Sequence, residues 1–234
     1  MRFADFGKNF GKNIPSIYLK QNQIYLRALI KDIKKNCKPS DPVLIYDWGG
    51  GNGLIEMTLV KELKNFKKLR IVIFDLDKSK FIKHPKIKNV CGDLVKIKPK
   101  IRADYSIMKH VIHYNTPKNN KKIFENIYNS TKKKLLLINM YIRKDEISYY
   151  KNLVILLYDW FGIFRKWPTL KEILSMVKKS KFKLVYEGKI LKKMDSINFY
   201  TRRYYLCSKQ ISILRDKNID KIKTHKELIL LCSK

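Results

Sequence analysis

The stretch Tyr46-Asp-Trp-Gly-Gly-Gly-Asn-Gly-Leu-Ile-Glu56 places four glycines between an apolar run, Pro42–Trp48, and a segment of helical pattern that begins at Leu54. Glycine costs backbone entropy wherever it sits, so four of them here require a purpose. The position between a strand and a helix excludes a floppy linker. A nucleoside-triphosphate loop would need Gly-x4-Gly-Lys-Ser/Thr, and no Lys-Ser/Thr follows Gly53. A dinucleotide fingerprint would need Gly-x-Gly-x-x-Gly, whereas Gly49, Gly51 and Gly53 alternate and follow an acidic residue, Asp47. Glycines at 49 and 51 permit a tight turn and close approach of a ligand, and the amides after Gly53 open a helix. A carboxylate at Asp47 suits a cationic ligand better than a pyrophosphate.

Outward from this loop, short apolar runs alternate with helical patterns. "PVLIYDW" (42–48), "LRIVIFDLD" (69–77), "IKNVCGD" (87–93), "ADYSIMKH" (103–110) and "KLLLINMYI" (134–142) read as strands buried on both faces. Helical patterns cover 17–36, 54–63 and 117–134. That rhythm predicts a parallel sheet with helices on both faces. Beyond it, residues 145–164 read as an apolar helix or broken pair, and 169–180 as a helix with a Thr169/Glu172 capping box. "FKLVYEGKI" (182–190) and "FYTRRYYLCS" (199–208) read as a closing hairpin, and 209–234 as a charged helical tail. No internal repeat or low-complexity linker divides the chain. The expected organisation is one domain over 1–208: an N-terminal helical segment (1–40), a ligand-binding half (41–142), and a lid with a C-terminal hairpin (143–208).

Composition bounds the partners. The chain has 234 residues, 45% of them apolar, which suffices for a core. Its formal charge of +32 would suit nucleic acid. Yet the cations are mostly lysine, with nine arginines, and arginine is the residue that reads phosphate and guanine bidentately. The abundance of Lys, Ile, Asn and Tyr together fits an AT-rich coding bias. Cys37, Cys91, Cys207 and Cys232 form no Cys-x-x-Cys pair, against structural zinc or a disulfide framework. The N-terminus lacks the apolar core of a signal peptide, and "NLVILLYDWFGIF" (152–164) is too short to span a bilayer. A cytoplasmic location, without a membrane span or a metal, is expected.

The glycine segment resembles motif I of the class I S-adenosylmethionine-dependent methyltransferases, and "DWGGGNG" is similar to the small-molecule O-methyltransferase branch. The resemblance spans roughly residues 40–208. It implies a Rossmann-like α/β fold, with a mostly parallel seven-stranded sheet ending in an antiparallel hairpin and helices on both faces. It further implies S-adenosyl-L-methionine as cofactor, with Asp47, Gly49 and Gly51 near its methionine end and Gly53 opening the helix. Asp75, 22 residues after Gly53, would hold the ribose hydroxyls, with Asp77 as its competitor. Asp93 would face the adenine amino group and Leu94 the ring.

"ADYSIMKHVIHY" resembles the family's fourth-strand segment, in which Lys109 starts a Lys-x-x-x-His pattern. His113 falls where the family's general base sits. An imidazole titrates near neutral pH and suits that work. The family continues His-Asp-Trp, whereas this chain reads His113-Tyr114-Asn115, and the supporting glutamate at the end of the fifth strand is Asn139. Catalytic and structural roles for His113 both stay open, and His110 offers a metal pair with it. "RKWPTLKEILSMVKKSKFKLV" (165–185) is similar to the family's late helix and sixth strand, with Lys181-Phe182 in place of Gly-Phe. The Asp/Asn-Pro-Pro-aromatic motif of amino methylation is missing after the fourth strand, and no cysteine pair sits where cytosine-carbon methylation needs it. A small-molecule oxygen acceptor follows by subtraction. The rivals are an RNA-directed methyltransferase and a degenerate fold kept for binding.

Overall fold

A computed structural model describes residues 16–162, 166–193, 195–198 and 205–234. Seven strands form one sheet: β1 (Val43–Trp48), β2 (Leu69–Asp75), β3 (Ile87–Cys91), β4 (Ala103–Lys109), β5 (Thr131–Met140), β6 (Lys183–Lys193) and β7 (Thr224–Ser233). Their spatial order is β3-β2-β1-β4-β5-β7-β6. β1 to β5 pair in parallel, and β7 runs antiparallel to both β5 and β6.

Successive residues of each strand enter different cores, as a pleat with period two requires. Ile45, Ile71, Ile73, Ile107, Ile138 and Ile229 pack in one cluster under α1 (Ser16–Asn36) and α2 (Leu54–Glu62). Tyr46, Phe74, Met108, Leu137, Leu228 and Leu230 pack on the opposite face under α3 (Pro117–Ser130) and α5 (Leu170–Lys179). Both faces are covered, so the strands read as nearly continuous apolar runs. The helices present apolar faces at the matching spacing: Tyr25, Leu29 and Ile33 on α1, and Ile123 and Ile127 on α3.

A third apolar cluster lies beside the sheet. There α4 (Ile147–Phe161) contributes Tyr150, Leu153 and Leu157, which meet Trp167, Ile142, Ile219 and Leu214 of α6 (Ser208–Asp216). α4 is one unbroken helix, stopped by Gly162 in the left-handed conformation at φ +64°. The capping box expected at α5 is present: Thr169 Oγ1 accepts from the Glu172 amide at 3.3 Å, and Glu172 Oε2 accepts from the Thr169 amide at 2.6 Å.

Two expectations are corrected at the C-terminus. Residues 199–204 of the expected hairpin strand lie outside the described residues, and Cys207 caps α6. The strand that pairs with β6 is β7, drawn from the segment expected to be a helical tail, and it inserts between β5 and β6. Consecutive Leu228, Ile229, Leu230 and Leu231 cannot share one helical face, but a central strand buries all of them. The domain therefore continues through Ser233 rather than ending at 208. Among the described residues no helix is long and apolar enough to cross a membrane.

Candidate functional site

In an open parallel sheet, ligands sit beyond the carboxyl ends of the strands where the strand order reverses. Here that point lies between β1 and β4, since β2 and β3 extend one way and β5 the other. The glycine loop leaves β1 at this edge. Gly49 donates its amide to the Phe74 carbonyl at 2.7 Å, and Gly53 donates to Gly50 at 3.2 Å, folding the loop before α2 begins. Gly49, Gly51 and Gly53 all adopt positive φ, at +85°, +59° and +70°. A side chain at Gly49 would strike Val111 Cγ2 at 2.5 Å, whereas one at Gly51 would point into open space. Gly51 therefore leaves its backbone open to close approach.

Asp75 reaches the same loop from β2. One carboxylate oxygen accepts from the Gly51 amide and the other from the Asp77 amide, each at 2.9 Å. Asp77 is turned away, capping a short 3₁₀ turn through the Ser79 amide at 3.0 Å and hydroxyl at 2.6 Å. The two carboxylates of "DLD" are thereby separated, Asp75 against the glycine loop and Asp77 in the Ser79 turn. Asp93 holds its own turn, accepting from the Val95 amide at 2.9 Å. Leu94 is buried, with Cδ1 3.7 Å from the missing Cβ of Gly49. The structure thus brings Asp47, Gly49, Gly51, Gly53, Asp75, Asp93, Leu94 and Lys109 to one edge of the sheet.

Beneath the loop lies a residue the sequence reading passed over. Glu56, in the first turn of α2, is fully buried beside Asp47, which is 1% exposed. A Cβ at Gly50 would stand 2.6 Å from Glu56 Oε1 and 3.0 Å from Asp47 Oδ2, so both carboxylates press against the same backbone. Burial, and then the Asp47 charge, hold the Glu56 carboxyl well above the usual carboxylate range. Burial likewise raises Asp47, opposed by the neighbouring Glu56 carboxyl and the Lys109 charge. The signal was present in the sequence: Glu56 is an acidic residue one turn before buried Leu59, on the apolar face of its helix.

A second buried acid, Glu227 on β7, is 2% exposed. Its Oε1 lies 3.1 Å from His110 Nε2, and its Oε2 accepts from the Tyr25 hydroxyl. His110 directly follows β4 in the left-handed region, at φ +57°. Lys109 Nζ lies 5.2 Å from the centre of the Tyr25 ring. The imidazole of His110 is therefore spoken for by a carboxylate, with its ring centre 6.0 Å from that of His113.

His113 lies in the 3₁₀ turn Ile112–Tyr114, just past the carboxyl end of β4, and is 2% exposed. Its ring sits 4.1 Å from Tyr114 and stacks at 12° on Trp167, 6.4 Å away. Trp167 walls a mostly apolar cavity of about 430 Å³ lined also by Ile142, Ile147, Tyr150 and Val154. A neighbouring cavity of about 330 Å³ lies against Ile112, Asn120, Thr169 and Met176.

Comparisons with known proteins agree with this architecture. The O-methyltransferase domain family matches residues 17–176. No curated protein sequence matches the chain. Among solved structures, a Bacillus halodurans protein described as a methyltransferase superposes with a TM-score of 0.68 at 17% identity, covering 88% of this chain and 97% of that one. The magnesium protoporphyrin IX methyltransferase of Synechocystis, solved with bound SAH, gives 0.61 at 10% identity over 99% and 93%. A Haemonchus contortus phosphoethanolamine N-methyltransferase, in complex with S-adenosylhomocysteine, gives 0.57 at 14% over 92% and 52%. At these identities the likeness is one of fold.

Proposed function

The chain belongs to the O-methyltransferase domain family and is an S-adenosylmethionine-dependent methyltransferase, and we propose that its acceptor is a small molecule methylated on oxygen. The observation that carries this reading is the apolar cavity of about 430 Å³ walled by Trp167, on whose indole the ring of His113 stacks. That volume suits a drug-sized molecule and its lining suits an apolar one.

The residues of the crevice fit the cofactor. Gly51 faces open space at positive φ, and Asp47 Oδ1 is a buried acceptor without a donor among the described residues. Asp47, Gly49 and Gly51 would hold the amino-acid end. Asp75 spends one lone pair of each oxygen on a backbone amide and keeps acceptor capacity for ribose hydroxyls. Leu94 would cover the adenine, with Asp93 at its edge. When bound, the cofactor supplies a methyl group already activated on a sulfonium.

The protein's work is then to orient the acceptor, exclude water and handle one proton. The apolar face of α4 and Trp167 provide the first two. His113 supplies a proton acceptor at the edge where β4 ends, held in plane by Trp167 and Tyr114. A screen for labelled methyl uptake from S-adenosylmethionine tests the reading, with phenols, enols and carboxylic acids offered beside RNA. Uptake into a hydroxyl compound supports it, and uptake into RNA alone overturns it.

A further inference from the structure

The buried pair Asp47–Glu56 has more negative capacity than the protein around it satisfies. Asp47 Oδ1, Glu56 Oε1 and Glu56 Oε2 are all buried, and none has a hydrogen-bond donor of ordinary geometry among the described residues. Buried acceptors are normally paired, and leaving one unpaired is costly. The ordinary explanation for a glutamate at this helix position is a capping box, with its side chain returning to the amide before the helix. That explanation fails here: the Gly53 amide donates to the Gly50 carbonyl, and the helix start has no side-chain cap. Glu56 instead turns inward, under Gly50 and against Asp47.

The charged groups around the pair do not neutralise it. Among the described residues Lys109 of β4 is the cation that acts on both carboxylates, and Asp75 of β2 adds a further negative charge against Asp47. From α1, Tyr25 packs its ring under Lys109 and engages Glu227 of β7, which also faces His110. Two carboxylates and one ammonium, out of water, cannot hold two full negative charges side by side. A proton between them gives one acid that donates and one carboxylate that accepts, and leaves the pair one cation short of full ionisation.

We propose that Glu56 is a positioning residue of the cofactor site: in the free protein it shares one proton with Asp47, and arrival of the cofactor's α-ammonium group beside Asp47 expels that proton to solvent. The inference rests on the reading that Asp47 faces the methionine end of the cofactor. The balance is simple. The free pair carries one proton and one negative charge; the complex carries two negative charges matched by Lys109 and the ammonium, and one proton passes to the buffer. Gly50 then has a defined task, since any larger residue would strike both carboxylates.

Titration calorimetry with S-adenosylhomocysteine tests this, run at several pH values from 5 to 8 in buffers of different ionisation enthalpy. The dependence of the heat on the buffer counts protons directly. The expected result is release approaching one proton per ligand somewhere in that window, with affinity rising by up to about tenfold per pH unit there. Two controls isolate the pair. 5′-Methylthioadenosine, which lacks the ammonium, should bind without release. Glu56→Gln, which keeps a donor toward Asp47, should bind S-adenosylhomocysteine with no release and a flat pH profile. Zero release by the wild-type protein, or equal release by Glu56→Gln, overturns the proposal while leaving the cofactor site intact. Absence of binding by the wild-type protein overturns the cofactor reading and the proposal with it.

Discussion

His110 Nε2 stands 3.1 Å from Glu227 Oε1, joining the carboxyl end of β4 to β7 across β5. The other oxygen of Glu227 accepts from Tyr25, so a single buried carboxylate ties α1 to two strands. Tyr25→Phe removes one donor from that carboxylate. A hydrogen bond to a charged group contributes about 1.5–3 kcal/mol, and the variant should lose about that much stability in urea denaturation. An unchanged midpoint would show that this hydrogen bond contributes nothing to holding α1.

Gly51→Val should abolish binding of S-adenosylhomocysteine, because it sets a branched side chain in the open space beside the loop and strains the backbone at φ +59°. Wild-type affinity in this variant would remove the loop from the cofactor site.

Asp75→Ala should weaken S-adenosylhomocysteine binding by about 1–3 kcal/mol, the cost of leaving hydrogen-bonding groups without partners. Asp77→Ala should leave the affinity unchanged, since Asp77 serves the Ser79 turn. The reverse ranking in parallel titrations would exchange their roles.

The pair under the loop also predicts how ligand-free stability varies with pH. Burial raises the pKa of Glu56 and of Asp47 in the folded state, so the native protein keeps a proton that the unfolded chain gives up. The contribution is fully present below the unfolded carboxyl values of about 4, and is lost as pH rises through the raised folded-state values. Glu56→Gln should flatten that decline when denaturation midpoints are compared from pH 4 to 8. A decline of equal slope in the variant would place its origin elsewhere.

His113→Gln separates two roles. As proton acceptor, His113 should account for about 10²–10⁴-fold in turnover with an identified hydroxyl acceptor, at unchanged S-adenosylhomocysteine affinity. A packing role against Trp167 and Tyr114 predicts instead a lower denaturation midpoint with nearly normal turnover.

The sequence carried the sheet's parallel half, because strands covered on both faces appear as apolar runs and the glycine loop marks where the first one ends. The preference for Asp75 over Asp77 rests on its directly following "IVIF"; in the structure Asp75 accepts from the Gly51 amide, while Asp77 accepts from Ser79. It did not carry β7. Charged residues flanking 227–232 look like a helix surface, and only pairing between β5 and β6 shows that the run is central. Glu56 and Glu227 were missed for a related reason. Each is an acid in an apolar segment, and its neighbour across the site comes from a distant part of the chain. The acid sought at Asn139 on β5 is not there; the adjacent strand carries Glu227 opposite Met140, and it faces His110 rather than His113.

The proposed function sets the methyl donor at the glycine loop between β1 and β4 and the acceptor against α4 and Trp167. Its most direct test is a titration of the protein with S-adenosylhomocysteine and, separately, with NAD, repeated on Gly51→Val. Saturable binding of S-adenosylhomocysteine by the wild-type protein, lost in the variant and not seen with NAD, is the predicted result. Binding of NAD in preference, or S-adenosylhomocysteine binding that survives Gly51→Val, would contradict the account.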